Sequence, residues 1–131
     1  MIAIDDLFAI AQARLHDAEV LAASNCFDSA MYLCGYAVEL GLKARICKTL
    51  QWEGFPSSNK EFEGLQSFKT HNLRILLHLS GIEGYIRSQF LREWSIVMIW
   101  NPEMRYNAIG TTSALKAQLM MTSTKSILEH L

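Results

Sequence analysis

FDSAMYLCGYAVELGLKARICKTL, running from Phe27 to Leu50, is the stretch on which the fold turns. Small and apolar residues recur at Ala30, Leu33, Cys34, Ala37, Leu40, Gly41, Ala44 and Cys47. That i, i+3, i+4, i+7 spacing lays them along one side of a 3.6-residue period, so the segment reads as a long, largely buried central helix. Gly35 and Gly41 each cost a helix about 1 kcal/mol against alanine. Glycines in so apolar a helix predict that another backbone passes close by. Glu39 and Lys43 lie one turn apart and, with Tyr32 and Tyr36, draw a polar line along the helix. The pair has the favourable i, i+4 order. It is expected to be structural: a buried Glu39 accepting hydrogen bonds from Tyr or Arg side chains and fixing helix register. The functional alternative is that the line receives a ligand phosphate or a partner's charge.

Working outward, Asp5 or Asp6 is placed to cap a first helix running to about Ala23, with Leu7, Phe8, Ala11, Leu15, Ala18 and Ala22 on one side and an acidic polar face. Ser24, Asn25 and Cys26 make a short break and Asp28 is placed to cap the central helix, which predicts an antiparallel hairpin. Periodicity then fails from Gln51 to Lys69, where Gly54, Pro56, Ser57, Ser58, Asn59 and Gly64 mark a long loop. Its aromatics Trp52, Phe55, Phe62 and Phe68 are expected to pin it to the bundle. A short helix spans Leu73 to Leu79, stopped by Ser80 and Gly81. A fourth runs from about Glu83 to Ile99, with Tyr85, Ile86, Phe90, Trp94 and Val97 at core spacing, until Asn101 and Pro102 disrupt it. The last starts near Thr112 or Ser113 and points Leu115, Leu119, Thr122, Ser126 and Leu128 or Leu131 at the others. The expected fold class is all-α: an antiparallel up-and-down bundle of four long helices plus one short helix, forming a single domain over residues 1–131.

The bulk properties agree with that reading. At 131 residues, half of them hydrophobic, the chain is long enough to bury a core without staples and too apolar to be disordered. No apolar run approaches a membrane span, and Asp5 and Asp6 stand where a signal peptide carries Lys or Arg, so a cytoplasmic protein with no membrane contact is expected. Cys26, Cys34 and Cys47 form no Cys-x-x-Cys pair and suit reduced packing residues. The histidines share no metal-ligand spacing, and no metal or cofactor is expected. Residues 1–66 hold five Lys/Arg against nine Asp/Glu, and residues 67–131 seven against four. The basic bias of the second half permits contact with a phosphate or an acidic partner. It is too small to be a nucleic-acid footprint by itself.

Four motifs then fall in order: Asn-Cys-Phe-Asp-Ser-Ala at 25–30, Ala-Val-Glu-Leu-Gly-Leu-Lys-Ala at 37–44, Lys-Thr-His-Asn-Leu at 69–73 before Leu76-Leu77, and Trp100 to Arg105-Tyr106. In that order they resemble the HEPN family, the higher eukaryote and prokaryote nucleotide-binding domain, over nearly the whole chain. The resemblance implies a five-helix up-and-down bundle, frequent dimerisation, and roles in RNA cleavage or in toxin and defence systems. Many members cleave RNA without metal, using an arginine followed four to six residues later by a histidine across a dimer. Arg105 matches that arginine by context, but residues 106–112 contain no histidine. A guanidinium holds a phosphate yet has no accessible deprotonated form to act as a base. An intact ribonuclease would need a histidine brought in spatially, with His71 the candidate beside Arg105.

The segment Trp94 to Tyr106 mixes the residue types enriched at protein interfaces. Trp100, Glu103, Arg105 and Tyr106 are therefore the expected partner-binding or ligand-binding residues. The leading expectation is a non-catalytic HEPN-like protein that docks a protein partner. In that role it is an immunity protein or antitoxin neutralising a bacterial toxin, a nuclease for instance, encoded by a neighbouring gene. The alternatives are a HEPN ribonuclease with a displaced histidine, or a nucleotide-binding accessory subunit of a nucleotidyltransferase.

Overall fold

The computed structural model describes residues 1–131. The chain is mostly helical, with six α-helices and one two-stranded sheet. Helix α1 (Ile4–Ala23) and helix α2 (Phe27–Leu50) are joined by three residues, among them Asn25 at φ 62°. Strand β1 (Ile2–Ala3) precedes α1 and strand β2 (Gly54–Phe55) follows α2; they pair antiparallel, Ile2 opposite Phe55 and Ala3 opposite Gly54. The start of α1 therefore meets the end of α2, and the two helices form an antiparallel hairpin. Two residues per strand carry no alternation, so the sequence offers no sign of this clasp. No helix is long and apolar enough to cross a membrane.

Helix α2 is buried around most of its circumference: Ala30, Cys34, Ala37, Val38, Leu42, Ala44, Ile46 and Cys47 are all fully buried. Its small residues let α1, α6 (Ala114–Leu128), α3 (Leu73–Leu79) and the 3₁₀ turn Pro102–Tyr106 all pack on it. The glycines admit side chains rather than a second backbone. A Cβ on Gly35 would lie 2.0 Å from Cγ of Trp100, and one on Gly41 would lie 2.6 Å from a methyl of Leu128. Cys34 and Cys47 are buried and Cys26 exposed, all three unpaired; burial pushes the Cys34 thiol up to about 12.

The expected single helix over 83–99 is two seven-residue helices, α4 (Glu83–Gln89) and α5 (Leu91–Val97), broken at Phe90 with φ −132°. The Phe90 ring lies 4.1 Å from the ring of His130 and edge-on to Tyr85. Packing on the end of α6 outweighs the continuous stripe, and Tyr85 is left half exposed rather than in the core. Residues 51–69 are ordered as a cap: Trp52, Phe55, Phe62 and Phe68 contact one another in an aromatic cluster with centroid separations of 5.0 to 6.4 Å.

The face that α6 turns inward also differs from expectation. Leu128 and Leu131 are buried as expected, together with Ala117, Met120, Ser123, Thr124 and Ile127, whereas Thr122 is exposed, Ser126 half-buried, and Leu115 and Leu119 are 68% and 38% exposed. Seating Leu128 and Leu131 against Gly41 fixes the rotation of the helix, and that rotation carries Leu115 and Leu119 to the surface. Ser113 caps it, its Oγ accepting from the Lys116 N–H. The expected aspartate caps are not formed: Ala3 and Cys26 occupy the N-cap positions of α1 and α2, and Asp28 reaches elsewhere.

Candidate functional site

Glu39 projects from the middle of α2 and is 3% exposed at its side chain. Lys43, one turn on, donates from Nζ to Glu39 Oε2 at 3.2 Å. Glu39 Oε1 meets Nδ1 of His71 at 2.8 Å, an imidazole 67% exposed that follows Thr70 ahead of α3. The partners of Glu39 are thus lysine and histidine, where tyrosine or arginine was expected. Thr70 Oγ1 accepts from the Asn72 N–H, and Asn72 Oδ1 accepts from the N–H groups of Arg74 and Ile75, so His71 sits on a backbone fixed at each neighbour. With the carboxylate accepting, Nδ1 carries the proton and Nε2 is free.

Trp100 is a core residue, 4% exposed, and not a partner-binding surface residue as its composition suggested. Its Nε1–H donates to the Tyr32 carbonyl at 3.0 Å and its ring covers Gly35. From this anchor the chain turns through Asn101, whose Oδ1 accepts from the Glu103 N–H, into the 3₁₀ turn at 102–106. Glu103, Arg105 and Tyr106 are exposed. Arg105 donates from Nη1 to the Pro102 carbonyl at 2.8 Å and lies 4.6 Å from the centroid of the Tyr106 ring. The segment beyond is tied back to α2, since the Asp28 carboxylate accepts from the N–H groups of Gly110 (2.7 Å) and Thr112 (2.8 Å).

Those two bonds hold the Asp28 carboxyl below the usual aspartate range. A depressed folded pKa contributes stability that is fully present above the ordinary aspartate value and lost as pH falls through the lowered one. Amide exchange should therefore show Gly110 and Thr112 losing protection selectively on acidification below the ordinary aspartate range. Asp28→Asn should remove the acid dependence, and equal acid sensitivity of wild type and variant would refute the linkage.

Three clefts surround this framework. One, of about 370 Å³, has Met31, Ile96, Ile99, Met104 and Leu119 for its apolar surface and Asp28, Ser95, Asn107, Thr111, Thr112 and Lys116 for its polar lining. A second, of about 380 Å³, is bounded by His71, Arg74, Met98, Ile99 and Asn101. A third holds Arg105 beside Tyr32 and Leu33. His71 and Arg105 thus line different clefts and form no hydrogen bond with each other. No group of three or more His, Cys, Asp or Glu side chains is arranged to hold a metal.

No family model, no curated protein and no solved structure matches the chain.

Of the residues in these clefts, sequence reasoning missed Ile99, Leu119 and Arg74 as surface features. Ile99 ended a helix expected to be continuous, Leu119 sat on the expected inner stripe, and Arg74 carries no motif. A signal for the α6 residues does exist: Ala117, Met120, Thr124, Ile127 and Leu131 form an equally good i, i+3, i+4 series.

Proposed function

We propose that the protein is a non-catalytic docking module on a HEPN-like up-and-down bundle, and that it acts as an immunity protein or antitoxin against a bacterial toxin. The observation that supports this reading is the apolar face between α5, the 102–106 turn and α6. Ile99, Leu115 and Leu119 are 58%, 68% and 38% exposed, with Ile96 and Met104 half-buried between the elements. Large apolar side chains gathered at one surface, with Lys116 among the polar residues beside them, resemble the mixed composition of a protein interface. Neutralising a toxin requires only complementary shape and charge, with no chemistry at the docking surface. Arg105 is engaged with Pro102 and Tyr106 and lines a different cleft from His71, which fits a docking role better than an arginine–histidine centre.

The test is co-expression with the product of the neighbouring gene. A complex should co-elute and toxicity should be relieved, and the double variant Ile99→Glu, Leu119→Glu should lose affinity by about 30-fold or more. Both positions are exposed, so its melting temperature should stay near wild type. No complex and no rescue with any neighbour would overturn the function; full affinity in the double variant would move the dock elsewhere.

A second reading, RNA cleavage through His71, is favoured by one observation: Glu39 holds the ring by Nδ1 and leaves Nε2 for proton transfer. Total RNA left intact by the purified protein, or cleaved equally well by His71→Ala, would remove it.

A further inference from the structure

The cleft beside His71 has a chemistry of its own, and it meets the apolar docking face only at Ile99. None of its lining side chains is a carboxylate. Its two amides have committed their oxygens: Asn72 Oδ1 accepts from the N–H groups of Arg74 and Ile75 at 2.9 and 3.3 Å, and Asn101 Oδ1 accepts from that of Glu103 at 2.9 Å. What each amide has left is its NH₂, which only donates. The Arg74 side chain forms no ion pair and no hydrogen bond within the chain; the arginine pairs are those of Arg14 and Arg87. Glu39 forms no ion pair with Arg74; its two oxygens meet Lys43 and His71. The result is an uncompensated planar cation, two amide donors and an oriented imidazole around one opening, with Met98 and Ile99 forming its apolar wall.

We infer that this cleft binds a small phosphate monoester, its phosphate on Arg74, Asn101 and Asn72, with His71 beside the opening, and its organic part against Met98 and Ile99. A phosphate monoester presents three strong acceptor oxygens and up to two negative charges near neutral pH, and the guanidinium fork matches that geometry better than an ammonium does. A volume of about 380 Å³ accommodates a ligand of this size. The inference rests on the donor set of this cleft and stands whether or not the apolar face docks a toxin.

The test follows the Cε1–H resonance of His71 by NMR in the full chain, assigned by its loss in His71→Gln. Inorganic phosphate, phenyl phosphate and sodium chloride are titrated at matched ionic strength. Both phosphates should give a saturable shift that chloride does not, with phenyl phosphate the tighter binder. Arg74→Ala should weaken binding about tenfold or more, the loss of a charge-assisted hydrogen bond. Asn101→Asp, which keeps the acceptor for Glu103 and adds a negative charge to the cleft, should abolish it. Arg87→Ala, on α4 and paired with Glu83, should bind as wild type does. Absence of a saturable shift, its reproduction by chloride, or unchanged affinity in Arg74→Ala and Asn101→Asp would overturn the site. Equal affinity for the two phosphates would overturn the placement of the organic part.

Discussion

Gly35→Ala should lower the free energy of unfolding by about 3 kcal/mol, the loss of space for one methyl group setting off the loss of an indole. The added Cβ would stand 2.0, 2.1 and 2.2 Å from three atoms of the Trp100 ring, so the ring must leave rather than tilt. Alanine improves helix propensity by about 1 kcal/mol. Against that stand the lost burial of the expelled indole, about 1.5 to 3 kcal/mol, and the broken bond from Trp100 Nε1–H to the Tyr32 carbonyl, about 0.5 to 1.5 kcal/mol. The balance is unfavourable. For a domain of this size a loss of about 3 kcal/mol amounts to roughly 10 °C in melting temperature. Denaturant titration checks it, with Trp100→Ala and the double variant completing a cycle. Because the two residues act through one contact, the double variant should be no worse than Trp100→Ala alone. A Gly35→Ala protein as stable as wild type would show that the indole does not depend on that glycine.

Gly35 and Trp100 also mark the boundary of what the sequence makes legible. The central helix is readable because a long periodic stripe of small residues leaves no competing element, and Ser113 is readable because a cap acts within three residues of itself. Gly35 is visible as an anomaly, but its partner lies 65 positions away and only the fold joins them. Trp100 illustrates a different failure: tryptophan, methionine and arginine are enriched at interfaces, yet a tryptophan that fills a glycine notch has the same local composition. The break at Phe90 and the rotation of α6 are tertiary overrides, set by the contact with His130 and by Leu128 against Gly41. At the candidate site, Glu39 and Lys43 are neighbours by helical geometry alone, whereas the arrival of His71 depends on how residues 51–72 fold back over α2. Arg74 was illegible because an unpaired arginine on a short helix differs from any solvated one until the walls of its cleft are known.

The second large effect is expected at Glu39, and it separates the core of this site from its rim. Glu39→Ala should destabilise the protein by about 3 to 5 kcal/mol, since it removes the carboxylate from a pair held inside the helix layer and leaves the Lys43 ammonium without its counter-charge. Lys43 is only 15% exposed, and with Glu39 gone its nearest compensation is the face of the Phe55 ring, 5.3 Å from Nζ. A cation–π contact of that kind offsets about 0.5 to 2 kcal/mol, less than the lost pair. Glu39→Ala combined with Lys43→Met should therefore be more stable than Glu39→Ala alone, because no stranded charge remains. His71→Ala removes the other partner of the same carboxylate, but from a ring 67% exposed, and should cost at most about 1 kcal/mol. Denaturant midpoints of the four proteins decide the matter. Equal losses from Glu39→Ala and His71→Ala would make the histidine, rather than the buried pair, the element that holds the segment before α3 to the central helix. A large loss confined to Glu39→Ala would leave His71 energetically free to serve a ligand.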